Sequence, residues 1–286
     1  MTRFIFISDT HLGAAPMNFQ EQNGYPECIQ EITGALNQYI IEQNDIDFVL
    51  HGGDMIDFTN DENILKAREV FKFSIPTYLC LGNHDLTTQN ALERWITLAP
   101  QYFINNKPNY TLRHKDLVIH IAPNHWNEKP YFWSNSQNPH LSDDQISKLK
   151  DELNTGTHLP HLLSTHSPIY GIPKEQSGIP IDYHTPCKTF TSEINALVDQ
   201  HSNIKCVLSG HNHINTHTHH EGVEYISASS FVETPFEFKL FEATANSITM
   251  RTISLKDSLQ FTHNYNEKKT YVQGRDVDRF FKMDLE

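Results

Sequence analysis

The feature that most constrains the fold is the alternation of short apolar runs with longer amphipathic stretches. Runs rich in β-branched and aromatic residues are typical of buried strands, and apolar residues repeated every three or four positions are typical of helices. Predicted strands cover residues 3–7, 47–50, 77–81, 110–113, 117–121, 159–164, 204–209, 223–228, 236–242 and 247–253. Predicted helices cover about residues 26–43, 63–73, 90–98, 143–153 and 189–200. This order predicts an α/β domain whose C-terminal third consists of strands.

The length of 286 residues suits one large α/β domain. No internal repeat, low-complexity tract or linker divides the chain. The last segment is polar and aromatic, and its pattern predicts neither helix nor strand. We therefore expect one domain at residues 1–255, followed by a C-terminal tail of unknown role at residues 256–286.

Charge and composition exclude some classes of partner. The chain has 22 Lys and Arg against 35 Asp and Glu, a formal net charge of −13. Binding of a nucleic-acid backbone needs a basic patch, so nucleic acid is not an expected partner. The longest apolar runs are far shorter than a membrane span, and a strand-like run follows Met1 where a signal peptide would begin. With four cysteines and no CxxC pair, the sequence predicts a cytoplasmic protein with no membrane partner.

The 18 histidines favour a metal-binding protein, because neutral imidazole is the commonest metal ligand. The cluster of histidines between residues 211 and 220 is also compatible with an ordinary polar loop. The positions of the histidines relative to the predicted strands therefore decide between a metal site and an ordinary loop.

Five short polar segments each follow directly after an apolar run. The segments are Asp9–His11, Gly52–Asp57, Gly82–Asp85, His166 and Gly210–His213. Ligands of open α/β sheets bind outside the carboxyl ends of the strands, so the five segments are expected to converge on one site. Each segment alone has an ordinary explanation as a turn or loop. Their joint occurrence in this order favours a site for two metal ions.

The ordered set D-x-H, G-D, G-N-H-D, H and G-H-x-H resembles the calcineurin-like metallophosphoesterase superfamily over about residues 3–214. The resemblance implies a four-layer α/β/β/α sandwich of two mixed β-sheets with flanking helices. It also implies two metal sites that share Asp54. The ligands of one would be Asp9, His11, Asp54 and His213, and those of the other Asp54, Asn83, His166 and His211.

The nature of these ligands narrows the choice of metal. A carboxylate has two oxygens and can serve two ions, as the shared Asp54 requires. A mixed set of nitrogen and oxygen donors without thiolate suits Fe, Mn, Zn or Co. The implied cofactors are therefore two divalent or trivalent transition-metal ions.

The resemblance further implies hydrolysis of a phosphate ester by a metal-activated hydroxide. His84 would be catalytic and stabilise or protonate the leaving group, and Asp57 would orient His84. An alternative for Asp57 is a helix N-cap. The histidine and all seven ligands are present, which argues against the non-catalytic scaffolds of the superfamily.

The segment from Ser8 to Leu12 together with GNHD is most similar to the small bacterial branch that includes cyclic-nucleotide and glycerophosphodiester phosphodiesterases. The expected partner is a small phosphate ester, with phosphodiesters first. A phosphomonoesterase acting on a small phosphorylated metabolite is the alternative, because the same metal core serves both reactions. DNA-repair nucleases of the superfamily share the DTHLG of residues 9–13, but this chain lacks their basic character. Association into a homo-oligomer stays open.

Contacts to the substrate are expected from the metal-proximal loops and from two further segments. The segment 170–186 is long and contains Gly and Pro, so it is either a functional loop or an ordinary surface loop. The aromatic-rich segment that begins at residue 124 either lines the rim of the site or packs over the sheet. The predicted substrate-binding residues are Asn83, His84, His125, Tyr170 and His184.

Overall fold

The structure, a computed structural model, describes residues 1–15, 25, 27–156 and 158–285. The strands of this part are β1 (Thr2–Ile7), β2 (Phe48–His51), β3 (Thr77–Leu79), β4 (Tyr110–Arg113), β5 (Val118–Ile121), β6 (His161–Ser164), β7 (Ile204–Ser209), β8 (Thr216–His220), β9 (Val223–Ser227), β10 (Glu237–Ala243), β11 (Ser247–Ser254) and β12 (Phe280–Asp284). The helices are α1 (Ile29–Gln43), α2 (Asp61–Val70), α3 (Ala91–Leu98), α4 (Asp143–Leu153), α5 (Lys174–Ser177) and α6 (Lys188–Gln200). Among the described residues, no helix is both long and apolar enough to cross a membrane.

The strands form two mixed sheets. The first has the order β12-β11-β10-β1-β2-β3 and the second the order β4-β5-β6-β7-β9-β8. In the first sheet β1, β2 and β3 are parallel, and β10, β11 and β12 add antiparallel pairings. In the second sheet β5, β6, β7 and β9 are parallel, and β4 and β8 are antiparallel edge strands. The carboxyl ends of the parallel strands are therefore available for a binding site.

Side chains that alternate in direction along the strands divide the buried residues into a large inner core between the sheets and a smaller outer core. In β7, Cys206 and Leu208 contribute to the large core shared with the first sheet, whereas Val207 belongs to a smaller core that includes Phe190 of α6 and Leu149 of α4. Successive side chains of a strand point to opposite faces, so β7 contacts both layers. Residues of α1, α2 and α3 join the large core. The predicted four-layer α/β/β/α sandwich is confirmed.

Local signals explain where the helices begin. The side chain of Asn60 caps α2 by accepting a hydrogen bond from the backbone of Asn63, so this helix starts at Asp61 and not at residue 63 as predicted. Ser142 and Gln145 form a capping box at the start of α4, which begins as predicted. The predicted start of the first helix, Pro26, lies outside the described residues.

Two strands of the structure were not predicted. β8 contains three of the clustered histidines, which are therefore part of a sheet edge rather than of a polar loop. β12 pairs with β11 along the edge of the first sheet, so the end of the tail returns to the body of the protein. The division of the chain at residue 255 stays a prediction.

Candidate metal centre

The predicted ligands lie on loops at one edge of the two sheets. Asp9 follows β1, Asp54 follows β2 and Asn83 follows β3, all in the parallel part of the first sheet. His166 and His211 follow β6 and β7 of the second sheet. The two sheets thus carry different predicted ligands at the same edge.

The first group of potential ligand atoms comes from Asp9, His11 and His213, and these atoms lie within 4.8 Å of one another. The Nε2 atoms of His11 and His213 are 3.1 Å apart, and His213 Nε2 is 3.5 Å from Asp9 Oδ1. Asp54 Oδ2 is 3.6 Å from His11 Nε2. Asp54 therefore borders this group.

The second group comes from Asp54, His166 and His211, again with ligand atoms within 4.8 Å of one another. His166 Nε2 is 3.1 Å from Asp54 Oδ2. The amide oxygen of Asn83 is 3.1 Å from His211 Nδ1. Because Asp54 contacts members of both groups, its carboxylate lies where a shared ligand would stand.

Positive backbone φ angles are concentrated in the loops that carry the predicted ligands. Five of the seven predicted ligands have a positive φ between 42° and 70°. They are Asp9, His11, Asp54, His211 and His213. Such conformations cost about 1–3 kcal/mol each in non-glycine residues and accumulate at functional sites. The fold thus holds the ligand loops in conformations that local preference disfavours.

Glycines precede the ligands because the loops approach one another closely. A Cβ at Gly82 would collide with the backbone and carboxylate of Asp54, and one at Gly210 with Asp9. The glycines of G-N-H-D and G-H-N-H thereby let the backbone pass next to the predicted ligands.

Hydrogen bonds lock the loops to one another. The amide of His211 donates to both carboxylate oxygens of Asp9 (3.0 Å each), and the amide of His84 donates to Asp54 Oδ1 (2.8 Å). Asp85 is completely buried and accepts bonds from the amides of Ile56 and Gly82. The last residue of G-N-H-D therefore ties the loop after β3 to the loop after β2.

His84 belongs to neither of these two groups, but it forms a third group of possible ligand atoms with His11 and Asp57. Its Nδ1 donates to the carbonyl oxygen of Asp57 (2.7 Å) and is 3.3 Å from the Asp57 carboxylate. Burial alone would lower the pKa of His84, but the carboxylates of Asp54 and Asp57 raise it to about 9. The ring of Trp133 packs on the imidazole at 4.9 Å between centroids. The position suits proton donation at the rim of the site.

The hydrogen bonds of the ring nitrogens show that the cluster fits metal ions. His166 Nδ1 donates to the carbonyl of Gly52 (2.8 Å), so once the ring is neutral, as metal binding requires, the lone pair lies on Nε2. That Nε2 is buried and has no hydrogen-bond partner among the described residues, although it faces Asp54. Burial lowers the pKa of His166, but Asp54 and then Asp9 outweigh it and raise the pKa to about 9. The pocket therefore stabilises positive charge, and its donors suit a transition-metal cation.

One carboxylate in this region was not predicted. Glu233 is buried and accepts a hydrogen bond from Nδ1 of His213 (2.8 Å). A histidine that ligates a metal usually donates its other N–H to such a group, which fixes the tautomer and the orientation of the ring. Glu233 follows β9 in a loop without motif or spacing, so the sequence carries no signal for it.

The aromatic segment after β5 both packs and lines the site. Trp126 is buried against His211, with ring centroids 4.9 Å apart, and Trp133 is partly exposed beside His84. His125, by contrast, packs on Tyr131 (4.6 Å). Among the described residues, no ring contact or hydrogen bond joins His125 to a predicted ligand.

The loop 170–186 likewise contains one residue that packs in the core and one that lies nearer the predicted ligands. Its Tyr170 packs edge-to-face on Tyr225 (4.8 Å), in the outer core and away from the predicted ligands. His184 has a positive φ of 52°, and partial burial and the nearby His213 lower its pKa. Of the predicted substrate contacts, Asn83 and His84 therefore lie among the predicted ligands, whereas His184 is exposed and is linked to the site only by the effect of His213 on its pKa.

Comparison with known proteins agrees with this geometry. The sequence model of the calcineurin-like phosphoesterase family matches residues 2–215. The chain belongs to the calcineurin-like phosphoesterase family and is a hydrolytic phosphoesterase.

Relatives within this class are distant. The 3',5'-cyclic adenosine monophosphate phosphodiesterase CpdA of Haemophilus influenzae is 23% identical over 230 residues, which cover 79% of this chain and 74% of that protein. A dimetal phosphatase from Danio rerio superposes with a TM-score of 0.63 at 15% identity, over 88% of this chain and 96% of that one. GAP50, the anchor in the inner membrane complex of Plasmodium, superposes with a TM-score of 0.63 at 12% identity, over 92% of this chain and 87% of that one. At these identities the two structures show a shared fold alone. The roles of individual site residues stay predictions.

Proposed function

We propose that the protein hydrolyses small phosphodiesters, with cyclic nucleotides as the leading class, at a centre of two metal ions. The observation that carries the proposal is the meeting of two groups of ligand atoms around one buried carboxylate, that of Asp54. The similarity to CpdA over most of the chain supports a diester rather than a monoester as substrate.

The proposed ligands of one ion are Asp9, His11, Asp54 and His213. Those of the other are Asp54, Asn83, His166 and His211. The Oδ2 atom of Asp54 lies 3.6 Å from Nε2 of His11 and 3.1 Å from Nε2 of His166, which supports its proposed place between the ions. The absence of thiolate among these residues favours Mn, Fe, Zn or Co.

The chemistry that such a pair of ions supplies is polarisation of the phosphoryl group and a lowered pKa of bound water. The residues of the chain orient the groups that act on the substrate. His84 N–H donates to Asp57, so the other ring nitrogen of His84 is directed away from Asp57. We propose that this nitrogen gives its proton to the departing alkoxide, which is a poor leaving group without one. Asp57 also accepts a bond from His11 Nδ1 (3.2 Å) and so fixes a proposed ligand and the proposed acid together.

The substrate enters beside His84 and His184. Trp133 lies partly exposed next to His84 and offers a flat apolar surface for the organic part of the ester. A diester carries one negative charge where a monoester carries two near neutral pH, and a smaller charge suits an acidic protein with net charge −13.

The test compares bis(p-nitrophenyl) phosphate with p-nitrophenyl phosphate, after chelation and reloading with Mn, Zn or Fe. We expect metal-restored activity with a preference for the diester, and then activity on 3',5'-cyclic nucleotides. Preference for the monoester would assign a phosphomonoesterase. Activity that is untouched by chelation would overturn the metal-dependent mechanism.

A further inference from the structure

The loop after β7 depends on residues that the family match does not include. This loop carries His211 and His213, both with positive φ. It ends at Asn215, where the family match also ends. Inside the match Asp9 accepts from the amide of His211, and further support for the loop comes from the rest of the chain.

Asn215 is the point at which this support converges. Its side chain is buried and every polar group of the residue has a partner. The amide nitrogen Nδ2 donates to the Glu237 carboxylate of β10 (2.7 Å), and Oδ1 accepts from the backbone of Ser229 (2.9 Å). The backbone N–H donates to the carbonyl of Val272 (2.9 Å). One residue thus joins the ligand loop to the first sheet and to the tail.

The backbone of the tail passes directly against Asn215 at Gly274. Gly274 has a φ of +77°, and a Cβ there would lie 2.8 Å from the carbonyl oxygen of Asn215. Asn215 Nδ2 also contacts the carbonyl of Gln273 (3.3 Å). Only glycine fits at position 274 without moving the tail or the loop.

Charge holds the tail in this place. Arg279 pairs with Glu237, the same buried carboxylate that accepts from Asn215. Arg279 also donates to the carbonyl of Gln273 (2.8 Å). A buried carboxylate is stable only when it is paired, so Glu237 requires the tail as well as the loop.

Loop 170–186 also contacts both Asn215 and the tail. The side chain of Gln176 donates to the carbonyl of Asn215 (2.8 Å) and to that of Tyr271 (2.9 Å). On the other side, the backbone of His217 donates to Asp278 (2.9 Å). Residues 271–279 therefore contact the chain just after the ligand loop at several points.

We propose that residues 271–279 form a C-terminal clamp that positions His211 and His213 for metal binding through Asn215. The proposal rests on the ligand assignment made under the proposed function. Asn215 is a positioning residue, since it touches neither predicted ion site nor substrate.

The test measures metal affinity and not turnover. Mn²⁺ is titrated calorimetrically into metal-free protein, and Co²⁺ is followed by its visible absorption, which reports coordination geometry. The variants are Asn215→Ala and Gly274→Ala, the second of which displaces the clamp while leaving Asn215 intact. Asn203→Ala is the matched control, because Asn203 makes a comparable bond to the carbonyl of Leu153 (3.0 Å) before β7, at the opposite end from the ligands. Thermal unfolding of each metal-free protein measures its stability separately.

We expect affinity for one or both ions to fall by about tenfold in both clamp variants, with a changed Co²⁺ spectrum. The control variant Asn203→Ala should lose thermal stability but keep the wild-type affinity for metal. Wild-type affinities in Asn215→Ala and Gly274→Ala, at whatever stability, would overturn the clamp. The titration needs no substrate, so wild-type protein that binds both ions yet prefers monoesters would contradict only the proposed substrate class.

Discussion

Replacement of His84 by alanine separates proton donation from metal binding. The side chain stands outside both ligand groups, and its Nδ1 is bonded to Asp57. We therefore expect His84→Ala to keep both ions. A positioned general acid contributes about 10²–10⁴-fold, which corresponds to about 2.7–5.4 kcal/mol of activation free energy. The kcat for a 3',5'-cyclic nucleotide should fall by a factor in this range.

The size of the loss should depend on the leaving group. The alkoxide released from a cyclic nucleotide needs a proton, whereas p-nitrophenolate is stable as an anion. His84→Ala should therefore reduce hydrolysis of bis(p-nitrophenyl) phosphate much less than hydrolysis of the nucleotide. Steady-state kinetics on both substrates, with metal content measured by elemental analysis, gives the comparison. His220→Ala, at an exposed histidine of β8, serves as control.

Three results would refute the reasoning. Equal losses on both substrates, with both ions bound, would show that His84 does not act as a proton donor. Loss of an ion together with activity would make His84 a ligand. Unchanged turnover of the nucleotide would remove His84 from the mechanism altogether.

Three further predictions concern metal binding and stability. Asp54→Ala should abolish binding of two ions, and elemental analysis that finds both at full occupancy contradicts a shared ligand. Glu233→Gln should weaken metal binding by about 10–100-fold through misorientation of His213, as measured by titration; wild-type affinity would make Glu233 dispensable. Burial lowers the pKa of Lys239 to about 7, so the unfolded chain binds more protons between pH 7 and 10, and stability should rise with pH by up to about 1.4 kcal/mol per unit. Lys239→Met should flatten that rise in urea unfolding at pH 7 to 9, and parallel curves would contradict it.

The predicted ligands could be located from the sequence because each comes directly after an apolar strand. Asp9 and Asp54 follow runs that can be buried only in a sheet, and strand ends place them at a common edge. The position of helix α4 was predicted correctly because Ser142 is a local capping signal, and the structure completes it as a capping box with Gln145. In both cases the information lies within a few neighbouring residues.

Features that depend on distant parts of the chain could not be predicted in this way. Glu233 is defined only by its contact with His213 across the fold. The edge strand β12 buries Phe281 but leaves Phe280 57% exposed, so its apolar pattern is too weak to indicate a strand. Its pairing with β11 supplies what the local sequence lacks.

The pairing of β1 with β10 has a consequence for biosynthesis. Thr2 stands opposite Ala243 in this ladder, so β1 must wait for one of its two neighbouring strands until most of the residues between them have been synthesised. At about 5–20 residues per second, roughly 12–48 seconds separate the two events. During this interval one edge of β1 has its backbone groups unpaired, a state that favours aggregation. Asp9 follows β1 directly, so we expect the nascent chain to acquire metal only after β10 has been synthesised.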